Sequence, residues 1–177
     1  MKENNQNVNE INELLLDKSL EISETEGFRY ISFKIKNERY GIEVSKIIKI
    51  INEHKITKIP DLPEFISGII QLKSTIIPII SLISRFDMGD EEYKGSIVVV
   101  EIKEQHIGFL VGEIEGIKQI NNNDIVDVPR IFINRGINYF AGIGIINGNS
   151  TVTFLDTEKI LKEEEIEQIE SIRQGKD

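Results

Sequence analysis

The chain has 177 residues, no cysteine, no tryptophan and a formal net charge of −9. Lack of cysteine excludes disulfides, thiol catalysis and Cys-based zinc sites, no apolar run is long enough to span a bilayer, and the start MKENNQNVNE lacks the apolar core of a signal peptide; the expected location is the cytoplasm. The charge lies in the tails, −5 over residues 1–27 and −3 over 157–177, so the body 28–156 is left at −1, without the basic field that nucleic-acid phosphates require.

In chain order, residues 1–8 are polar and expected to be disordered. Asn7 can then cap a short helix, with Glu10 three residues on and Ile11, Leu14 and Leu15 on one face. The choice between a frayed tail and a docked helix stays open, because so short a helix is marginal alone. Residues 28–36 alternate as a half-exposed strand, Asn37-Glu38 turn, and 39–42 return. Residues 43–46 fit a helical turn, and IIKII at 47–51 is a strand with Lys49 facing outward. A loop over 52–61 ends at Pro60-Asp61-Leu62-Pro63, which continues neither strand nor helix, and 63–66 fit a single turn.

Residues 68–86, GIIQLKSTIIPIISLISRF, form the densest apolar stretch. Two Ile-rich runs flank Lys73-Ser74-Thr75 and predict a hairpin buried on both faces. Pro78 must sit where no ladder hydrogen bond is needed, and Ser81 can cap one helical turn. Residues 87–94 are an acidic link without calcium-loop spacing. Residues 95–111 predict a second alternating hairpin, 112–120 either a short helix or a twisted strand, and 127–141 a long connection with few strand signals. Asn147-Gly148 is the strongest hairpin-turn signal, and 157–173 reads as one charged helix with Ile160, Leu161, Ile166 and Ile169 on its sparse apolar face.

Two stretches repeat. Residues 142–160 follow the pattern of 68–86, with Asp156 in the place of Ser81. Residues 96–111 follow 29–44, with Gly108 matching Gly41, Val100 matching Phe33 and Ile102 matching Ile35. The chain reads as two copies of one β unit, each with two hairpins. Catalytic chemistry is hard to place. His54 lies in a loop and His106 in an alternating strand, neither with metal-ligand spacing, and no phosphate-binding or nucleophile motif is present. No cofactor and no metal site is expected.

Tyr40-Gly41-Ile42-Glu43-Val44, then Ile59-Pro60-Asp61-Leu62-Pro63-Glu64-Phe65-Ile66-Ser67-Gly68, and Ile77-Pro78-Ile79-Ile80 together resemble the CheW-like coupling domain of bacterial chemotaxis, over about residues 28–161. The resemblance implies an all-β fold of two intertwined five-stranded SH3-like barrels with short helical turns and a C-terminal helix. It divides the chain into an N-terminal extension (1–27), the domain (28–161, with 28–86 and 140–161 completing the barrels and 95–139 a second unit) and a charged C-terminal helix or tail (162–177). It also implies a non-enzymatic adaptor, recruited to membrane receptor arrays, that joins a chemoreceptor's cytoplasmic tip to the regulatory domain of the CheA histidine kinase. By resemblance, Ile47, Lys49 and Gly68 face the kinase, while Lys73, Gly108, Ile114 and Ile117 line a receptor groove between the units. Each isoleucine is equally readable as core, and each glycine as a turn or close approach.

Five positions in three places depart from the family pattern: Gln71-Leu72-Lys73-Ser74 replaces N-L-R-G, Lys49 stands for an acidic residue, and Ser81 stands for Asp. Lys73 keeps the charge of arginine but loses its bidentate fork. These departures suit a divergent scaffold serving another receptor and kinase. More distant alternatives are a nucleic-acid-binding small barrel and a ligand-binding cleft; the near-neutral, Trp-free body opposes the first, and the lack of convergent polar groups opposes the second.

Overall fold

The computed structural model describes residues 2–17, 26–52, 54–89 and 94–174. Parts of the expected N-terminal extension, acidic link and C-terminal tail fall outside these residues. Among the described residues, eleven strands form two sheets. The first sheet has the order β8-β1-β2-β11-β10-β9, built from β1 (Gly27–Ile35), β2 (Glu38–Glu43), β8 (Ile114–Asn121), β9 (Ile125–Val126), β10 (Phe140–Ile146) and β11 (Ser150–Leu155). The second has the order β3-β6-β7-β5-β4, built from β3 (Ile47–Ile51), β4 (Gly68–Leu72), β5 (Thr75–Ser81), β6 (Ser96–Ile102) and β7 (Gln105–Val111). These are the two SH3-like barrels; the two-residue β9 makes the first sheet six-stranded where five strands were expected.

The repeat holds to the level of register. Phe33 pairs with Tyr40 in the first sheet and Val100 with Ile107 in the second. Phe154 of β11 runs parallel to Gly41, as Ile79 of β5 runs parallel to Gly108. The matches Phe33–Val100, Gly41–Gly108 and Ile79–Phe154 are therefore structural equivalences. The halves are exchanged: β1–β2 of the first copy joins β10–β11 of the second, and β6–β7 of the second joins β4–β5 of the first. As a result the sheets draw on residues 27–43 with 114–155 and on 47–81 with 96–111, an interleaving finer than the expected division into 28–86 with 140–161 and 95–139.

Three apolar clusters follow from this exchange. One gathers Tyr30, Ile120, Val152 and Phe154 from strands of the first sheet, and another Ile70, Ile77, Ile79, Ile97, Val99 and Leu110 from the second. The largest takes Ile31, Phe33, Ile35 and Ile42 from the first sheet and Ile47, Val98, Val100 and Phe109 from the second, so it lies between them. Strands inside this arrangement are covered on both faces. This corrects the half-exposed reading of 28–36: Tyr30, Ile31, Ser32 and Phe33 are all at most 1% exposed, because β1 has β2 on one side, β8 on the other and apolar clusters on both faces.

The connecting elements mostly follow local chemistry. Ser81 caps α2 (Leu82–Arg85) by accepting from the Ser84 N–H at 3.5 Å, and Asp156 caps the equivalent 3-10 turn through the Glu158 N–H at 3.2 Å. Pro78 pairs opposite Ile69, whose own N–H and C=O turn the other way to Thr57, so the missing proline donor costs nothing there. Residues 112–120 resolve as strand, β8. The long connection contains α3 (Arg130–Asn134), with Phe132 set edge-on to Phe140 at 6.1 Å.

Two helical expectations change. Residues 157–173 are not one helix: a 3-10 turn at Thr157–Lys159 is followed by α4 (Glu163–Arg173), because Lys162 adopts extended backbone and the Glu165 carboxylate accepts its N–H at 2.8 Å, starting a new helix. Ile160 and Leu161 bury in the break, and Arg85 binds Glu165 through two hydrogen bonds of 2.8 and 2.7 Å. At the other end, α1 spans Lys2–Leu16 rather than starting at Asn7. Once Val8 and Ile11 are docked, the Gly- and Pro-free residues before them extend an existing helix and need no new nucleus.

Candidate functional site

β3 and β8 are the equivalent outer strands of their sheets, and each carries a bulge that aims a charged residue. In β3 the register against β6 shifts between Ile47 and Lys49. Ile47 and Ile50 therefore turn into the inter-sheet cluster, while Ile48 and Ile51 turn into the second barrel. Lys49 is left exposed on the outer strand, so its two isoleucine neighbours belong to different cores. In β8, Ser32 pairs with Gly116 and Phe33 with Ile114, so Glu115 is the extra residue.

The bulge turns Glu115 onto β1 and β2. Arg39 donates to its carboxylate twice, Nε to Oε2 at 2.6 Å and Nη2 to Oε1 at 2.9 Å, and Ser32 Oγ donates at 2.7 Å. Lys34 Nζ stands 3.7 Å away. The Arg39 hydrogen bonds, helped by Ser32 and working against partial burial, hold the Glu115 carboxyl at a pKa of about 2. This clamp fixes β8, and with it Ile114 and Ile117, which are half-buried against the inter-sheet cluster.

The expected site residues fall in three places. Ile47, Ile114 and Ile117 converge on the inter-sheet cluster, with Lys49 exposed beside Ile47. Gly68 and Lys73 bracket β4 instead. Gly68 has φ 154°, and a Cβ there would stand 2.6 Å from the Thr57 carbonyl oxygen, so its position is set by the seam that closes the second barrel. Lys73 is exposed at the tip of the β4–β5 hairpin with φ 54°. Gly108 is buried, and a Cβ would lie 2.5 Å from Ile79 Cδ1 and 2.8 Å from Ile97 Cγ2. It permits close packing inside the second barrel and presents no side to a groove.

The Arg39–Glu115 clamp was not anticipated; of the two readings left open for the N-terminal helix the structure takes the docked one, with a seat on β3 that the sequence did not indicate. Gly116 within an otherwise regular strand pattern was the available sign of a bulge. Nothing in the pattern paired Arg39 with Glu115. Among the described residues, no three His, Asp or Glu side chains are gathered to hold a metal ion, and burial pushes the His54 imidazole below its usual range. No described helix is long and apolar enough to cross a membrane.

Paired barrels with an apolar wall between them and a charged outer strand define a protein-docking module. The CheW-like domain model matches residues 29–165, and the chain belongs to the CheW-like family of chemotaxis coupling proteins. It is 26% identical over 153 residues to the chemotaxis protein CheW of Treponema pallidum, covering 83% of this chain and 89% of that one. It is 30% identical over 139 residues to CheW of Thermotoga maritima, covering 77% and 89%. The crystal structure of the scaffolding protein TtCheW from Thermoanaerobacter tengcongensis superposes with a TM-score of 0.68 at 27% identity, over 77% of this chain and 93% of that one.

Proposed function

We propose that the protein is a non-catalytic adaptor that couples a chemoreceptor's cytoplasmic tip to the regulatory domain of a CheA-type histidine kinase, acting in the cytoplasm at membrane receptor arrays. The observation that carries this reading is the pair of outer strands, β3 with exposed Lys49 and β8 with half-exposed Ile114 and Ile117, meeting over one inter-sheet cluster. Two partners can then be held side by side by one rigid body. Ile47, Lys49 and Gly68 form the kinase side, with Lys49 the reader of charge and the other two shaping its strand and seam. Lys73, Ile114 and Ile117 form the receptor side, and Gly108 acts there only by shaping the barrel beneath.

A second reading, a specialised scaffold for a different receptor–kinase pair, is favoured by Lys49 itself. An exposed lysine where the family pattern described above has an acid would repel a kinase that presents a cation. Lys49→Glu is expected to weaken binding to this protein's own kinase and to strengthen binding to a kinase whose coupling protein has the usual acid, by roughly 1.5- to 5-fold for a solvent-exposed pair. Isothermal titration with both kinase regulatory domains measures the swap. Unchanged affinity for both makes Lys49 a bystander, and no binding of either kinase by the wild type removes the coupling role.

A further inference from the structure

α1 packs against both β3 and β8. Val8 and Ile11, 7% and 2% exposed, are buried in the same inter-sheet cluster as Ile47 and Ile50, and Leu15, Ile114 and Ile117 pack against it. Positions 8, 11 and 15 form one helical face. Beside them, Asn12 acts as a substitute strand. Its Nδ2 donates to the Ile50 carbonyl at 3.0 Å, and its Oδ1 accepts from the Ile50 N–H at 2.8 Å. Those are the backbone groups an outer strand offers to any chain able to pair with it.

Charge agrees with this seat. Residues 46–58 carry Lys46, Lys49, Lys55 and Lys58 against the single acid Glu53, whereas α1 presents Glu10 and Glu13 on its exposed side. The matched family domain begins at residue 29, so α1 is laid over a groove whose walls belong to the domain itself.

We infer that α1 is a resident, displaceable occupant of the groove between β3 and β8, and that a partner must expel it to bind. The inference rests on the receptor role proposed for Ile114 and Ile117. Because the groove accepts an acidic helix with apolar residues at i, i+3 and i+7, the segment that replaces α1 is an amphipathic helix of the same kind, contributed by the receptor tip. The helix thereby sets the receptor affinity: the apparent dissociation constant is the intrinsic one divided by the fraction of molecules with α1 released.

The test uses the full chain. Val8→Asp with Ile11→Asp undocks α1 and leaves every residue of β3 and β8 in place; Asn12→Ala is a milder variant that removes only the Ile50 hydrogen bonds. Titration calorimetry with a cytoplasmic receptor-tip fragment is expected to show about tenfold tighter binding for the double variant, corresponding to an α1 docked about nine-tenths of the time, and a smaller gain for Asn12→Ala. Hydrogen exchange on the wild type is expected to show the α1 amides losing protection when the fragment is added. Equal or weaker binding by folded variants, or α1 amides that stay protected in the complex, overturns the inference and leaves the receptor assignment standing. A fragment that binds neither wild type nor variants overturns the receptor assignment, and the inference with it.

Discussion

Gly68→Ala is expected to destabilise the fold by about 2–4 kcal/mol, the sum of a backbone strain and an overpacking cost. Gly68 opens β4 at φ 154°, a conformation that side-chain-bearing residues rarely adopt, and an added Cβ would stand 2.6 Å from both Ile56 Cγ2 and the Thr57 carbonyl oxygen. The isoleucine end can move, but the carbonyl cannot, because the Thr57 and Ile69 backbones exchange hydrogen bonds of 2.8 and 2.9 Å that close the second barrel between the loop after β3 and β4. Gly148→Ala is the control. At φ 76° with nothing within 4 Å of an added Cβ, it meets strain alone, expected at about 1 kcal/mol. Denaturant unfolding of both variants measures the difference. Equal costs would mean that the seam yields freely and that Gly68 is retained for a partner rather than for closure.

Arg39→Ala is expected to cost about 2–3 kcal/mol, less than the loss of a partner from a fully buried pair, because the Arg39 and Glu115 side chains are 28% and 14% exposed. It leaves Glu115 turned inward by the β8 bulge with Ser32 and the more distant Lys34. Replacing the carboxylate as well, as Arg39→Ala with Glu115→Gln, should recover part of the loss, since the stranded charge is then gone. The pH dependence has a definite sign. The folded carboxyl titrates at about 2, below its unfolded value of 4.5, so its contribution is fully present above pH 4.5 and is lost as the pH falls from there to about 2. The stability difference between wild type and Glu115→Gln should therefore shrink over that window, and in the Arg39→Ala background it should shrink less. A flat difference would show that the clamp carries no net stabilisation.

Much of the architecture was legible because the determinants were local or duplicated. Asn147-Gly148 named its own hairpin, Ser81 its own cap, and the matches of Gly41 with Gly108 and Phe33 with Val100 survive as register equivalences. Features that depend on long-range placement were misread. The alternation in 28–36 suggested a wet face, yet β8, more than eighty residues on, covers Ser32 through Glu115. The apolar period of 157–173 ran on past Lys162 although the backbone turns there. Lys49 was rightly expected to face outward, but the reason is a bulge that sends its neighbours into two different cores, not a simple alternation. At the candidate site, local pattern located β3, left β8 open between a short helix and a strand, and did not say where a docked N-terminal helix would lie, because Asn12 bonds to backbone rather than to a recognisable side chain.

The measurement that bears most directly on the coupling role is the mass of the complex formed when the full chain is mixed with a kinase regulatory domain and a receptor-tip fragment. Size-exclusion chromatography with light scattering should give one species whose mass is the sum of all three, and each binary pair should also form. If the receptor fragment instead displaces the kinase domain, so that only binary species are ever seen, β3 and β8 serve one partner at a time and the chain does not couple them.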